Sequence, residues 1–117
     1  MLAKANRLVK NKDFSLLFQR GKSSINKTTG LKIIQISRQQ SANRFGVLIS
    51  NKVSKKAVKR NKIKRQIRAI IRSWQNQIKP NFDLLIIAYP AIIDQTFEQI
   101  EQSIIKNLKK LDLLKEN

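Results

Sequence analysis

With 117 residues and 41% hydrophobic content, the chain has the size of one domain and enough apolar material for one modest core. Twenty-five Lys and Arg against seven Asp and Glu give a formal net charge of +18, a self-repulsion that points to a polyanionic partner. The inventory also excludes much: without cysteine there is no disulfide or thiolate metal site, without histidine the commonest general base is missing, and the longest apolar run, Leu84 to Tyr89, is too short to cross a bilayer.

In chain order, the first predicted element is a helix from about Lys12 to Arg20. Asn11 caps it, Asp13 suits the positive end of its dipole, and Gly21 closes it. Phe14, Leu17 and Phe18 recur at helical spacing and make one apolar stripe. A short edge strand around Ser24 to Lys27 comes next, then an Ile-rich strand from Leu31 to Ser37, a turn at Gln39 to Asn43, and a strand from Arg44 to Ser50 with Phe45, Val47 and Ile49 on one side. A long helix runs from about Lys55 or Ala57 to Gln77, its core stripe being Ile63, Ile67, Ile70, Ile71, Trp74 and Ile78. Pro80-Asn81 ends it. Phe82 to Tyr89, bounded by two prolines, reads as a central strand covered on both faces. The last helix opens on a Thr96–Gln99 capping box and buries Phe97, Ile100, Ile104, Leu108 and Leu111. Residues 1–117 thus form a single α+β domain, a mixed sheet packed with helices.

Charge is distributed as unevenly as it is abundant. No acidic residue occurs between Phe14 and Phe82, where seventeen Lys and Arg fall, whereas Asp94, Glu98, Glu101 and Asp112 gather near the C-terminus. Lys56, Arg60, Lys64, Arg68 and Arg72 stand four apart and form one inclined row on the long helix, widened by Lys59, Lys62 and Arg65. Like charges at this spacing destabilise a helix by about 0.2–0.5 kcal/mol per pair, and solubilising faces normally mix in Glu. Phosphates remove that repulsion and release counterions on binding, so the row points to nucleic acid. Asn61 stands among the cations as a neutral amide. It either holds backbone or base-edge groups of a ligand or makes a local helix hydrogen bond.

The segment Arg44-Phe-Gly-Val-Leu-Ile-Ser-Asn-Lys52, followed by Ala57-Val-Lys-Arg-Asn-Lys-Ile-Lys-Arg-Gln-Ile-Arg68, resembles the signature of the bacterial ribonuclease P protein family. The opening helix, the Phe82–Pro90 strand and the Thr96-Phe97-Glu98 helix start are similar to that family too, so the resemblance covers essentially the whole chain. It implies an α-β sandwich with a mixed four-stranded sheet in the order α-β-β-β-α-β-α and a left-handed βαβ crossover. It also implies two RNA contacts. Lys56, Arg60, Asn61, Lys64, Arg65 and Arg68 would face the catalytic ribonuclease P RNA. A cleft lined by Phe14, Phe18, Arg44 and Lys52 would take the 5′ leader of precursor tRNA. Read from the residues alone, Phe14 and Phe18 at i, i+4 are what a core-facing helix shows, and core is the reading that spacing favours. Two positions depart from the family pattern: Lys55 stands where Gly is common, and Tyr89 where Arg often precedes the proline.

Catalysis by the protein itself is not expected. Gly-rich phosphate loops are absent, and the spacing of Asp13, Asp83 and Asp94 does not gather them into a metal site. The resemblance implies instead that the holoenzyme's Mg²⁺ is bound through the RNA, with no cofactor on the protein alone. A soluble cytoplasmic chain, monomeric outside the holoenzyme, is expected. The competing reading is a structural RNA-binding protein such as a small ribosomal protein.

Overall fold

Strand β1 (Lys22–Ile25) and strand β2 (Thr29–Gln35) form a hairpin, and β3 (Arg44–Ile49) leads into helix α1 (Ala57–Trp74). Strand β4 (Phe82–Ala88) and helix α2 (Phe97–Lys110) complete the chain order, with 3-10 turns at Gln75–Gln77 and Pro90–Asp94. The computed structural model describes residue 19 and residues 21–35, 43–49 and 51–115. The expected first helix, and with it Phe14 and Phe18, lies outside the described residues, as does most of the expected turn at Gln39 to Asn43.

The sheet order is β1-β2-β4-β3. β2 pairs antiparallel with β1 and β4, whereas β3 and β4 pair in parallel, so α1 is the crossover of a βαβ unit. The near-continuous apolar run of β4 has its cause in this order. Flanked by β2 and β3, β4 buries Leu84, Ile86 and Ala88 toward the helices and Asp83 and Leu85 on the opposite face. The main core joins these residues to Leu31 and Ile33 of β2, Phe45 of β3, Ile63, Ile67, Ile70 and Ile71 of α1, and Ile100, Ile104 and Leu108 of α2. Leu85, with Ile34 and Ile87 against it, forms a small second cluster on the other face.

Helix ends follow local chemistry. Gln99 N–H donates to Thr96 Oγ1 at 3.2 Å while Thr96 N–H donates to Gln99 Oε1 at 2.9 Å, the expected reciprocal cap. The long helix stops being α-helical at Trp74 and tightens into the 3-10 turn before Pro80. Asn81, at φ 71°, then adopts the left-handed conformation that asparagine tolerates. Asn43 ties this connection to β3: its Nδ2 donates to the Lys79 carbonyl at 2.8 Å, and its Oδ1 accepts from Phe82 N–H at 2.8 Å.

One expectation fails. Phe97 is 41% exposed rather than part of the buried stripe of α2. It occupies the first helical position, a turn before the helix reaches the sheet, and the buried face is completed instead by Ser103 and Asn107. These polar residues zip α2 to the β1–β2 hairpin. Asn107 accepts from Ser24 Oγ at 2.9 Å and donates to Thr29 Oγ1 at 3.0 Å, while Ser103 Oγ lies 2.6 Å from both Thr28 Oγ1 and Thr29 Oγ1. Replacing Asn107 by leucine leaves the Ser24 hydroxyl without this partner and takes one hydrogen bond from the Thr29 hydroxyl, in a site only 2% exposed. The expected loss is about 2 kcal/mol, read from urea unfolding.

Candidate RNA-binding site

Helix α1 begins against the usual rules. Its N-cap, Lys56, makes no side-chain cap, and no acidic residue occupies the first turn. The entry is fixed by Ser54 instead: its Oγ accepts from Lys56 N–H at 3.1 Å, and its carbonyl accepts from the Arg60 guanidinium at 2.7 Å. Lys55, Lys56, Lys59 and Arg60 thus crowd the positive end of the helix dipole. Such a local conflict marks a place shaped for a ligand rather than for stability.

The core anchors this helix by Ile63, Ile67, Ile70 and Ile71, all at most 5% exposed. That anchoring turns Lys59, Asn61, Lys62, Arg65 and Arg72 fully outward and leaves Arg60, Lys64 and Arg68 half-buried. Arg65, Arg68 and Arg72 border an open depression of about 750 Å³ whose described lining is completed by Ala69 and Ser73. The two small residues let a phosphodiester approach three guanidinium groups at once. Among the described residues the ion pairs are Arg44–Asp83 and Lys79–Asp112, so no carboxylate neutralises the row on α1. Lys56 sits just outside the helix; the like-charge pairs within it begin at Arg60.

The sequence-predicted cleft residues separate. Arg44 opens β3, directly opposite Asp83 in register, and grips it through Nε–Oδ1 at 2.9 Å and Nη2–Oδ2 at 2.6 Å. Lys52 lies exposed in the turn beyond the other end of the strand, next to the start of α1. The length of β3, at a rise of about 3.3 Å per residue, keeps the two apart. Lys52 therefore belongs with the basic helix entry, whereas the charge of Arg44 is balanced within the sheet. Sequence reasoning missed this pairing, whose signal was the lone acid in an otherwise apolar central strand.

An outward, unneutralised basic helix held on a mixed sheet defines an RNA-binding α+β domain. Comparison with known proteins makes the family specific. The family model for ribonuclease P matches residues 2–112. The ribonuclease P protein component of Synechocystis sp. is 43% identical over 98 residues, covering 84% of this chain and 78% of that protein. That of Brevibacillus brevis is 36% identical, with 97% and 88% covered. The structure of the Staphylococcus aureus RNase P protein superposes with a TM-score of 0.85 at 31% identity, covering 96% of this chain and 100% of that one. For the Thermotoga maritima RNase P protein the TM-score is 0.79 at 28% identity, with 89% and 96% covered. The chain belongs to the ribonuclease P protein family. Its role is in the ribonuclease P holoenzyme, an endoribonuclease of tRNA processing in which it is the protein subunit beside the ribonuclease P RNA.

The exposed cation row also makes the free protein sensitive to anions. Adding sulfate or phosphate at constant ionic strength is expected to raise its melting temperature, since anions that bind only the folded row stabilise by mass action. A flat response across the titration would show that the row holds no anion by itself.

Proposed function

We propose that α1 seats the protein on the ribonuclease P RNA through Lys56, Arg60, Asn61, Lys64, Arg65 and Arg68, and that the protein also holds the 5′ leader of precursor tRNA. The observation that carries the reading is the unneutralised basic row on a helix whose isoleucine face is locked into the core. A rigid row of this kind positions the phosphates of a folded RNA without reading its sequence. The protein's contribution is then binding: it screens phosphate repulsion and raises the local concentration of substrate at the RNA.

The donor set does not suit a protein-held Mg²⁺. Among the described residues no group of three or more His, Cys, Asp or Glu could hold a metal, and Asp83 is engaged by Arg44. On this proposal the Mg²⁺ of the holoenzyme is bound through the RNA. Self-repulsion at +18 opposes self-association, which supports a monomer outside the holoenzyme. No described helix is long and apolar enough to cross a membrane, and the cytoplasm is the proposed location.

The deciding experiment is cleavage of a precursor tRNA by ribonuclease P RNA at low Mg²⁺, with and without the protein, using leader-bearing and leaderless substrates. The expected outcome is restored cleavage at the mature 5′ end, a smaller gain without the leader, and a weaker effect for Arg65→Ala. Equal gains for both substrates would overturn the leader contact.

A further inference from the structure

A second set of cations lies at the edge of the sheet remote from α1. The strand order puts β1 and β3 at opposite edges, three strand spacings or about 14 Å apart. α1 packs against β3, whereas α2 packs against β2 and β1. Along α2 the charge changes sign. Glu98 stands in the first turn, about 12 Å of helix before Lys106, and Glu101 accepts from Trp74 Nε1 at 3.2 Å. From Gln102 to Leu111 no acidic residue occurs, and there Lys106, Lys109 and Lys110 all stand exposed.

The edge strand brings further cations to them. Ser24 Oγ donates to the buried Asn107, which lays β1 alongside this part of α2, and the exposed Lys22 and Lys27 bracket the strand. Ile25, Asn26, Lys106, Asn107, Lys109 and Lys110 line an open depression of about 400 Å³ between the two elements. Its floor is satisfied within the protein. Asn107 is held by Ser24 and Thr29, and Asn26 Nδ2 donates to the Ser103 carbonyl at 3.0 Å. The charge on the rim is what remains. Among the described residues the ion pairs are Arg44–Asp83 and Lys79–Asp112, so no carboxylate is paired to the lysines of this edge. Dipole complementation accounts for lysines in the last turn of α2, and edge protection for a lysine on β1. Neither requires the cations of two elements to meet around one depression.

We propose that Lys106, Lys109 and Lys110, with Lys22 and Lys27 of the β1 edge, bind the phosphate backbone of a second segment of the ribonuclease P RNA, so that the protein bridges two parts of that RNA from opposite edges of its sheet. The side-chain chemistry sets the kind of contact. The cations here are lysines, point charges on flexible stems, whereas the depression on α1 is lined by three arginines with planar forks. Lysines track a backbone without fixing its register or reading its bases. Diffuse contacts of this kind are filled first by a polyanion already tethered nearby. Once α1 is seated, other segments of the same RNA stand at effective concentrations on the order of millimolar. The proposal rests on the RNA-binding reading above and extends it to a second face.

The chain lacks cysteine, so one introduced thiol carries a chelated-iron source of hydroxyl radicals at a single place. In the reconstituted holoenzyme, a source on Ser23→Cys probes the β1 edge and one on Val58→Cys probes α1; both positions are exposed and uncharged. The Ser23 source is expected to cut a segment of the ribonuclease P RNA that the Val58 source leaves intact. Changing Lys106, Lys109 and Lys110 together to glutamine is expected to abolish the Ser23 cuts and keep the Val58 cuts. The same change is expected to lower the slope of log affinity against log salt by about 2 to 3, and to weaken binding of that RNA about 50- to 170-fold near 0.15 M salt. Fluorescence of Trp74, the single tryptophan, reports whether each variant remains folded. The absence of separate Ser23 cuts, or a folded glutamine variant that keeps them and the wild-type slope, would overturn the proposal. Ser23 cuts confined to the precursor would overturn it too, and would give this face to the substrate. If the Val58 source cuts no RNA, it is the α1 reading that fails, so the two failures are separable.

Discussion

Replacing Lys64, Arg65 and Arg68 together by alanine is expected to weaken binding of the ribonuclease P RNA about 50- to 170-fold near 0.15 M salt, while making the protein itself more stable. The first half follows from counterion release. Each phosphate contact contributes about 0.7 to 0.9 to the slope of log affinity against log salt, so removing three lowers that slope by about 2 to 3. The difference between variant and wild type is largest at low salt and vanishes toward about 1 M, where release no longer favours binding. The second half follows from the helix. Within α1, Lys64 and Arg68 take part in the like-charge pairs 60–64, 64–68 and 68–72. Removing those pairs returns about 1 kcal/mol, or about 4 °C in melting temperature for a domain of this size. Alanine also has the best helix propensity. The core stripe of Ile63, Ile67, Ile70 and Ile71 is untouched. Filter binding across a salt series and thermal melts check both signs. A variant that loses stability along with affinity would mean that the row serves the fold. Arg60 is left out because its guanidinium also clamps the Ser54 carbonyl, and its loss would mix the two effects.

That opposition between stability and binding explains why the basic helix was legible in the sequence while other parts of the site were not. A row of cations four residues apart with no interspersed Glu is a local pattern, and helical periodicity alone sets it along the flank of the isoleucine stripe and outward from it toward Arg72. The central strand was equally readable, since Leu84 to Ile87 has no polar position to show water. What periodicity does not carry is pairing between distant segments. Asn107 and Ser103 sit on the buried face of α2 where the pattern called for apolar residues, because Ser24, Thr28 and Thr29 satisfy them from the hairpin. Phe97 was misplaced for the converse reason: being apolar and in phase says nothing about whether the first turn overhangs the sheet. The room that Gly30 leaves for Tyr89 has no sequence signal either, since a strand glycine signals a bulge as readily as a close approach.

Arg44 is the instructive case, because its expected mutational effect is large and of a different kind. Arg44→Ala is expected to cost about 3–5 kcal/mol of stability, a large share of the about 5–15 kcal/mol that holds a domain together. The side chains of Arg44 and Asp83 are 15% and 4% exposed, so the arginine's loss takes two charge-assisted hydrogen bonds from a carboxylate buried in the sheet within apolar β4. Asp83→Asn is expected to cost less, since an amide oxygen still accepts from the guanidinium and no buried anion is left. Replacing both, as Arg44→Met with Asp83→Leu, is expected to recover most of the loss, because the desolvation of the two charges is removed together. Urea unfolding of the two single variants and the double variant measures this cycle. A cost below about 1 kcal/mol for Arg44→Ala would place the pair in the screened, surface class. RNA binding supplies the contrast with α1: the pair is neutral as a unit, so Arg44→Met with Asp83→Leu should leave the salt slope unchanged. A slope reduced by about 1 in that double variant would show that RNA competes with Asp83 for the guanidinium, and would return Arg44 to the nucleic-acid surface.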